Sequence, residues 1–176
     1  DLELARDRFC FCCATSLRHS DLALLKKAHF DNPDDPTSFT IVSKKTDDAP
    51  TIFLNEYSKS IYMKYKDRDT DKGLLFPKKS NQKMNKCLKK IASRLGITRE
   101  VNITEYCGNE RTDITTKICD IIATHAGRRT FVVHCAEKGW TEEQIRAYTG
   151  HEDFKALRPY FTIGSKKRRM LMEDNF

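Results

Sequence analysis

The residue types in this chain that could do chemistry are arginines, histidines, a lysine and a tyrosine, and they fall in five short segments. In chain order these are Ala14-Thr15-Ser16-Leu17-Arg18-His19-Ser20-Asp21-Leu22, Lys45-Thr46, Thr124-His125-Ala126-Gly127-Arg128-Arg129-Thr130-Phe131, Gly150-His151, and Tyr160. Breaking a phosphodiester without a metal needs an in-line nucleophile, cations around the non-bridging oxygens and an acid for the leaving 5′-oxygen. These types match that demand, but none decides it alone. Arg18 by itself is most simply a solvated residue between helices. Lys45 is one of two adjacent loop lysines, with Lys44 as its rival, and His125 lies near a helix start, where a polar residue is ordinary. Arg129 is as available as Arg128 until the His-x-x-Arg spacing separates them. Information lies in the order of the five segments and in Tyr160 standing nine residues after His151. Tyr57, Tyr62, Tyr65, Tyr106 and Tyr148 have no histidine at that interval and read as core or surface aromatics. His19 and His134 lack motif partners and read as structural.

The elements that must position these residues follow from periodicity. Leu4, Ala5, Phe9, Cys12 and Cys13 recur near helical spacing over residues 2–15, and Ser20 is placed to cap a short second helix carrying Leu22 and Leu25. Arg18 therefore falls in the junction between two helices. Asn32-Pro33-Asp34-Asp35-Pro36 predicts a turn. Phe39 and Ile41 then alternate with Thr40 and Val42 as in a half-buried strand, and a second strand is expected over residues 51–54. Lys44 to Asp48 reads as a polar hairpin tip from which a cation could reach a cleft. Tyr57, Ile61 and Tyr65 mark a third helix, and residues 67–72 a charged linker. Ser80 opens an amphipathic helix with the stripe Met84, Cys87, Leu88, Ile91 and Leu95, closed by Gly96. A hairpin is expected over residues 101–118, and Thr124 is placed to cap a helix running to Lys138 and Gly139. Thr141-Glu142-Glu143-Gln144 is a capping box for the next helix, which stops at Gly150. Residues 164–173 predict a basic helix.

Bulk properties bound the function. A length of 176 residues with 39% hydrophobic content suits one domain, and 32 Lys and Arg against 25 Asp and Glu leave a net charge of +7, which favours a polyanionic partner. The longest apolar stretches, near Phe9 to Ala14 and Ile121 to Thr124, are far short of the roughly 20 residues of a membrane span. No signal peptide is evident in the charged opening segment, and the absence of an initiator Met suggests a piece of a longer protein. Seven scattered cysteines fit reduced thiols better than a disulfide framework. The cluster of Cys10, Cys12 and Cys13 invites a zinc reading, but no second ligand pair follows, and buried small side chains on a helix are the simpler account.

Taken together, the five segments resemble the tyrosine recombinase (phage integrase) family, particularly integrases of bacterial conjugative transposons and related mobile elements, over essentially the whole chain. The resemblance implies an α+β, mainly α fold: a helical catalytic domain over residues 1–176 with a small antiparallel β-sheet, the catalytic core of DNA breaking-rejoining enzymes. It implies a site-specific recombinase that cuts and rejoins double-stranded DNA through a 3′-phosphotyrosyl link. Exchange would pass through a Holliday junction in a homotetramer on DNA, formed from free monomers. By position, Arg18 and Arg128 would hold the non-bridging oxygens and Lys45 would protonate the leaving 5′-oxygen. His125 and His151 would bond the phosphate and manage the tyrosine proton, Tyr160 would attack, and Asp21 would buttress the cleft behind Arg18. No metal and no cofactor are implied, since the tyrosyl ester keeps the phosphodiester energy. Location would be the bacterial cytoplasm, on the nucleoid, with no membrane partner.

Two departures stand out. Ser16 occupies a position commonly glycine in the family, and Pro159 before Tyr160 should break the helix ahead of the nucleophile. The family's N-terminal DNA-clamping domain is expected to lie outside these 176 residues, and a piece without it should bind DNA and recombine poorly. Residues 164–176 read either as a basic surface helix on DNA or as an arm docking Leu171 or Phe176 into a neighbouring protomer. Alternative functions are relaxation of supercoils like a type IB topoisomerase, or DNA-binding regulation on an inactive recombinase scaffold.

Overall fold

Aromatic and aliphatic side chains spaced along the first helix set the architecture. The computed structural model describes residues 1–42, 50–108, 110–150 and 157. Helix α1 (Leu2–Thr15) buries Leu4, Ala5, Phe11 and Cys12. Phe11 packs edge-on to Phe76, with ring centroids 5.6 Å apart, and lies 6.0 Å from Phe39. Phe30, Tyr62, Tyr65 and Leu75 complete this core with Ile41 and Ile52. Asp7, itself buried, anchors α1: Tyr65 donates its hydroxyl to the carboxylate at 2.9 Å, and Arg6 and Lys64 pair with it.

Short helix α2 (His19–Leu22) follows after a tight junction. Its N-cap is Arg18 in extended conformation, not Ser20, which lies inside the helix and donates to the neighbouring Asp21 carboxylate at 3.3 Å. Strands β1 (Ser38–Thr40) and β2 (Thr51–Phe53) pair antiparallel, with Phe39 opposite Ile52 and both buried. Helix α3 (Glu56–Tyr65) starts at Asn55, whose side chain accepts from the Ser58 N–H at 2.8 Å. The charged linker ends in a 3₁₀ turn at Asp71–Gly73.

Helix α4 (Asn81–Arg94) starts at Ser80 as the sequence predicts and buries Met84, Leu88 and Ala92. Cys87 and Ile91 are half-buried, while Leu95 is exposed because the helix ends one residue earlier. Strands β3 (Glu100–Cys107) and β4 (Glu110–Lys117) form the expected hairpin, in register from Glu100 opposite Lys117 to Cys107 opposite Glu110. One face carries a polar ladder in which Thr104 donates to Asp113 at 2.6 Å and Thr115 to Asn102 at 2.8 Å. The antiparallel component is thus two separate two-stranded ladders among the described residues.

Helix α5 (Ile118–Ile121) turns the chain back to α4. Helix α6 (His125–Glu137) then crosses α1. Thr124 does not cap α6 through its side chain: it is already helical, and its hydroxyl and N–H bond Asn81 and Asn85 of α4 at 2.8 and 2.9 Å. A start signal is diverted here into a tie between two helices. Helix α7 (Glu142–Thr149) has its capping box in place, with reciprocal bonds between Thr141 and Gln144, and ends at Gly150 with φ +63. A second cluster, Phe131, Val132, Cys135, Ile145 and Leu157, joins α6 to α7. Among the described residues no helix is long and apolar enough to cross a membrane.

Candidate active site

Where α1 ends, α6 begins and α7 ends, the backbone leaves a cleft lined by Ser16, Arg18, Asp21, Arg128, Thr149 and Gly150, with Ile52 and Tyr148 on its rim. Its geometry begins with a glycine. A Cβ on Gly127 would lie 2.9 Å from the Cys12 Cβ and 3.2 Å from the Phe9 carbonyl, so only glycine lets α6 cross α1 this closely. That approach brings Arg128, one residue on, beside the last turn of α1.

The chain leaves α1 through Ser16, which adopts φ 61 and ψ 6, a left-handed conformation that glycine enters freely and serine only at a cost. Its N–H caps the Cys12 carbonyl at 2.9 Å. The turn survives the serine, with a buried hydroxyl that finds no hydrogen-bond partner. Arg18 follows in extended conformation and reaches the buried Asp21 carboxylate, Nη1 to Oδ2, at 3.8 Å.

Arg128 is almost wholly buried. Nη1 donates to the Ser16 carbonyl at 2.9 Å and Nη2 to the Thr149 carbonyl at 2.6 Å. Both acceptors sit at helix C-termini, where partial negative charge favours a cation. Burial and the nearby Arg18 charge pull the guanidinium down to about 10, which still leaves it protonated at neutral pH. Two guanidinium groups therefore share one concave site, with Asp21 as local counter-charge. Such a site can hold a phosphate oxygen pair by the planar fork geometry of arginine.

His125 opens α6 on the exposed side. Partial burial, then the charges of Arg129, Arg128 and Arg18, hold its imidazole below the ordinary value. The ring is thus biased toward the neutral form that can accept a proton. Lys45, His151, Tyr160 and the 164–176 segment lie outside the described residues. Gly150, the chain neighbour of His151, lines the cleft. Of the sequence-predicted site residues, the structure brings Arg18, Asp21 and Arg128 together, with His125 within their electrostatic reach.

Sequence reasoning missed the steric role of Gly127, whose signal was a small residue at a helix crossing; Tyr148, read as a core or surface aromatic, packs against both apolar clusters and also lines the cleft. Among the described residues no cluster of three or more His, Cys, Asp or Glu could hold a metal ion. Burial pushes the Cys12 and Cys13 thiols up to about 12, so they stay protonated and pack.

Residues 4–166 match the family described as the phage integrase family. Comparison with the sequences of curated proteins finds no match. Among solved structures, the chain is similar to the Tn1549 transposon integrase in complex with a circular intermediate DNA, with 17% identity and a TM-score of 0.62 over 96% of this chain and 57% of that one. It is also similar to XerA recombinase, with 16% identity and a TM-score of 0.68 over 99% of this chain and 64% of that one. A third is XerH site-specific recombinase bound to difH substrate, with 17% identity and a TM-score of 0.64 over 96% of this chain and 46% of that one. The chain spans less than two thirds of the length of each. At these identities the likeness is one of fold.

Proposed function

The chain belongs to the phage integrase family of tyrosine recombinases, and from that premise we propose that it is the catalytic domain of a site-specific DNA recombinase. The observation that carries this reading is the convergence of Arg18 and Arg128 in one cleft, from segments 110 residues apart, on a carboxylate and two helix C-termini. In the proposed reaction the scissile phosphate of a DNA duplex enters this cleft, and the two arginines hold its non-bridging oxygens. The Tyr160 oxygen attacks phosphorus as its proton passes to an imidazole, His151 or His125. The bond from phosphorus to the 5′-oxygen breaks, and Lys45 gives that oxygen its proton. A 3′-phosphotyrosyl ester and a free 5′-hydroxyl result. Attack by a 5′-hydroxyl from the partner duplex reverses the step and releases the tyrosine, so no external energy source is consumed.

Exchange would run one strand at a time through a Holliday junction in a homotetramer on two duplexes. An N-terminal DNA-clamping domain would precede residues 1–176, and the 164–176 segment would dock on a neighbouring protomer. The test is covalent trapping. A nicked suicide duplex should give a protein-DNA adduct with the parent protein and none with Tyr160→Phe, which keeps the ring and loses the attacking oxygen. An undiminished adduct in Tyr160→Phe would refute the nucleophile assignment.

A further inference from the structure

Helix α6 begins at His125, and a first residue keeps its place only as well as the first turn does. The leading N–H groups of a helix have no acceptor within it, and a turn given none from outside frays. No side chain at the α6 N-cap supplies one. The acceptor comes from α4: Asn85 takes the Thr124 N–H at 2.9 Å. Asn81, one turn earlier on the same face of α4, takes the Thr124 hydroxyl at 2.8 Å. Thr124 is buried, so water is a poor substitute for either asparagine. Backbone bonds from Ala126 N–H to the Ala123 carbonyl at 2.9 Å and from Gly127 N–H to the Thr124 carbonyl at 3.2 Å tighten the same turn. Helix α4 is itself firmly seated, capped by Ser80 and with Met84 and Leu88 buried.

Arg128 does not depend on this turn. Its guanidinium is fixed from other elements, by the Ser16 carbonyl at 2.9 Å and the Thr149 carbonyl at 2.6 Å. His125 and Arg128 stand three residues apart, which makes them neighbours on one helix face while the turn between them is intact. The arginine is therefore anchored by the ends of α1 and α7, and the histidine by the start of α4. Loss of the α4 contacts would free the imidazole and leave the guanidinium where it is.

We propose that Asn81 and Asn85 are positioning residues of the cleavage step: by holding the first turn of α6 they set the His125 imidazole against the phosphate that Arg18 and Arg128 bind. The proposal rests on the reading of His125 as an imidazole that bonds this phosphate. Small misplacements of such a group cost large factors in rate.

The experiment is a double-mutant cycle in single-turnover adduct formation by the full-length protein on a nicked suicide duplex. Asn85→Ala should slow the parent about 10- to 100-fold. In a His125→Ala background, already slowed by about 10²- to 10⁴-fold, the same change should alter the rate by no more than about threefold, because the group it displaces is gone. In the DNA-free protein the His125 ring, followed by NMR, should titrate closer to its ordinary value in Asn85→Ala, since a loosened turn carries it into solvent and away from the cleft arginines. Thr124→Val, which removes only the bond to Asn81, should give the same pattern at smaller amplitude, and it carries the comparison if Asn85→Ala does not fold. Equal slowing in both backgrounds, no slowing in either, or an unmoved His125 titration would overturn the positioning role. If His125→Ala itself cleaves at the parent rate, the histidine reading fails, and the asparagine proposal fails with it.

Discussion

The two sides of the cleft are held in different ways. On one side, α1 and α6 cross at Gly127 with almost no space between them, above a core of interlocked aromatic rings. On the other, the eight-residue α7 rests on a smaller described cluster and reaches β2 through the Tyr148 hydroxyl. The first side presents Arg18 and Arg128, whose proposed task is to hold charge at fixed positions throughout the reaction. The second leads into the segments proposed to carry the proton donors and the nucleophile. Fixed electrostatics gain from rigidity because a preorganised dipole or charge needs no reorganisation as the transition state forms. Arg128 spans the difference, bonding the end of α1 with one nitrogen and the end of α7 with another.

The largest expected effect comes from breaking the rigid side. Phe11 is fully buried between Phe39 and Phe76, and Phe11→Ala should destabilise the whole domain by about 3–5 kcal/mol in chemical denaturation. Ile145→Ala, in the smaller cluster, should first raise amide exchange in α7 while protection in α1 holds. Equal loosening of both helices by Ile145→Ala would show that the cleft has no soft side.

Next in size is Arg128→Ala. It leaves the buried Ser16 and Thr149 carbonyls without this donor, at about 1–3 kcal/mol for each group left unpaired. Arg18→Ala, which removes a partly exposed side chain, should abolish cleavage comparably yet cost far less stability. Denaturation of the two variants side by side separates the clamp from the phosphate contact. Similar losses of stability would mean that Arg128 has no clamping role. Smaller again is Gly127→Ala, whose new methyl must push α1 off α6 at about 1–3 kcal/mol. Its adduct yield should fall further than Ile145→Ala at matched stability, because it moves Arg128 against Arg18.

What was legible in the sequence follows the same division. Helix α4 could be read from its apolar stripe and Ser80, and α7 from its capping box, because those signals are local and local bonds satisfy them. Thr124 carries the same kind of signal, but its hydroxyl goes to Asn81, a competition that only the tertiary arrangement decides. The grouping of Arg18 with Arg128 came from motif order and family resemblance, and the cleft contains both. Gly127 lies inside the quoted motif, yet its steric role is visible only once α1 faces it. Tyr148 was illegible for the same reason: its hydroxyl's partner is a backbone carbonyl 95 residues away, and carbonyls leave no trace in sequence.

The smallest expected effect probes the charge field of the rigid side without touching a proposed catalytic group. His125 lies below the ordinary 6.5, through partial burial and then the positive charges of Arg129, Arg128 and Arg18. Arg129 is exposed on α6 and contributes the largest of the three charges, so Arg129→Gln should raise the imidazole toward its ordinary value. The sign for stability follows from proton binding. With a folded value below the unfolded one, the folded state holds fewer protons, and stability falls as pH drops through about 6.5. Arg129→Gln should shrink that loss. A phosphate-bearing duplex in the cleft acts in the same direction, since its negative charge favours imidazolium, and should raise His125 in the parent as well. Titration of the His125 ring proton by NMR, with and without Arg129 and with and without DNA, measures each shift. A ring that rises with DNA but ignores Arg129→Gln would place the field in the cleft arginines alone; a ring that ignores both would mean that His125 lies outside the electrostatic reach of the site.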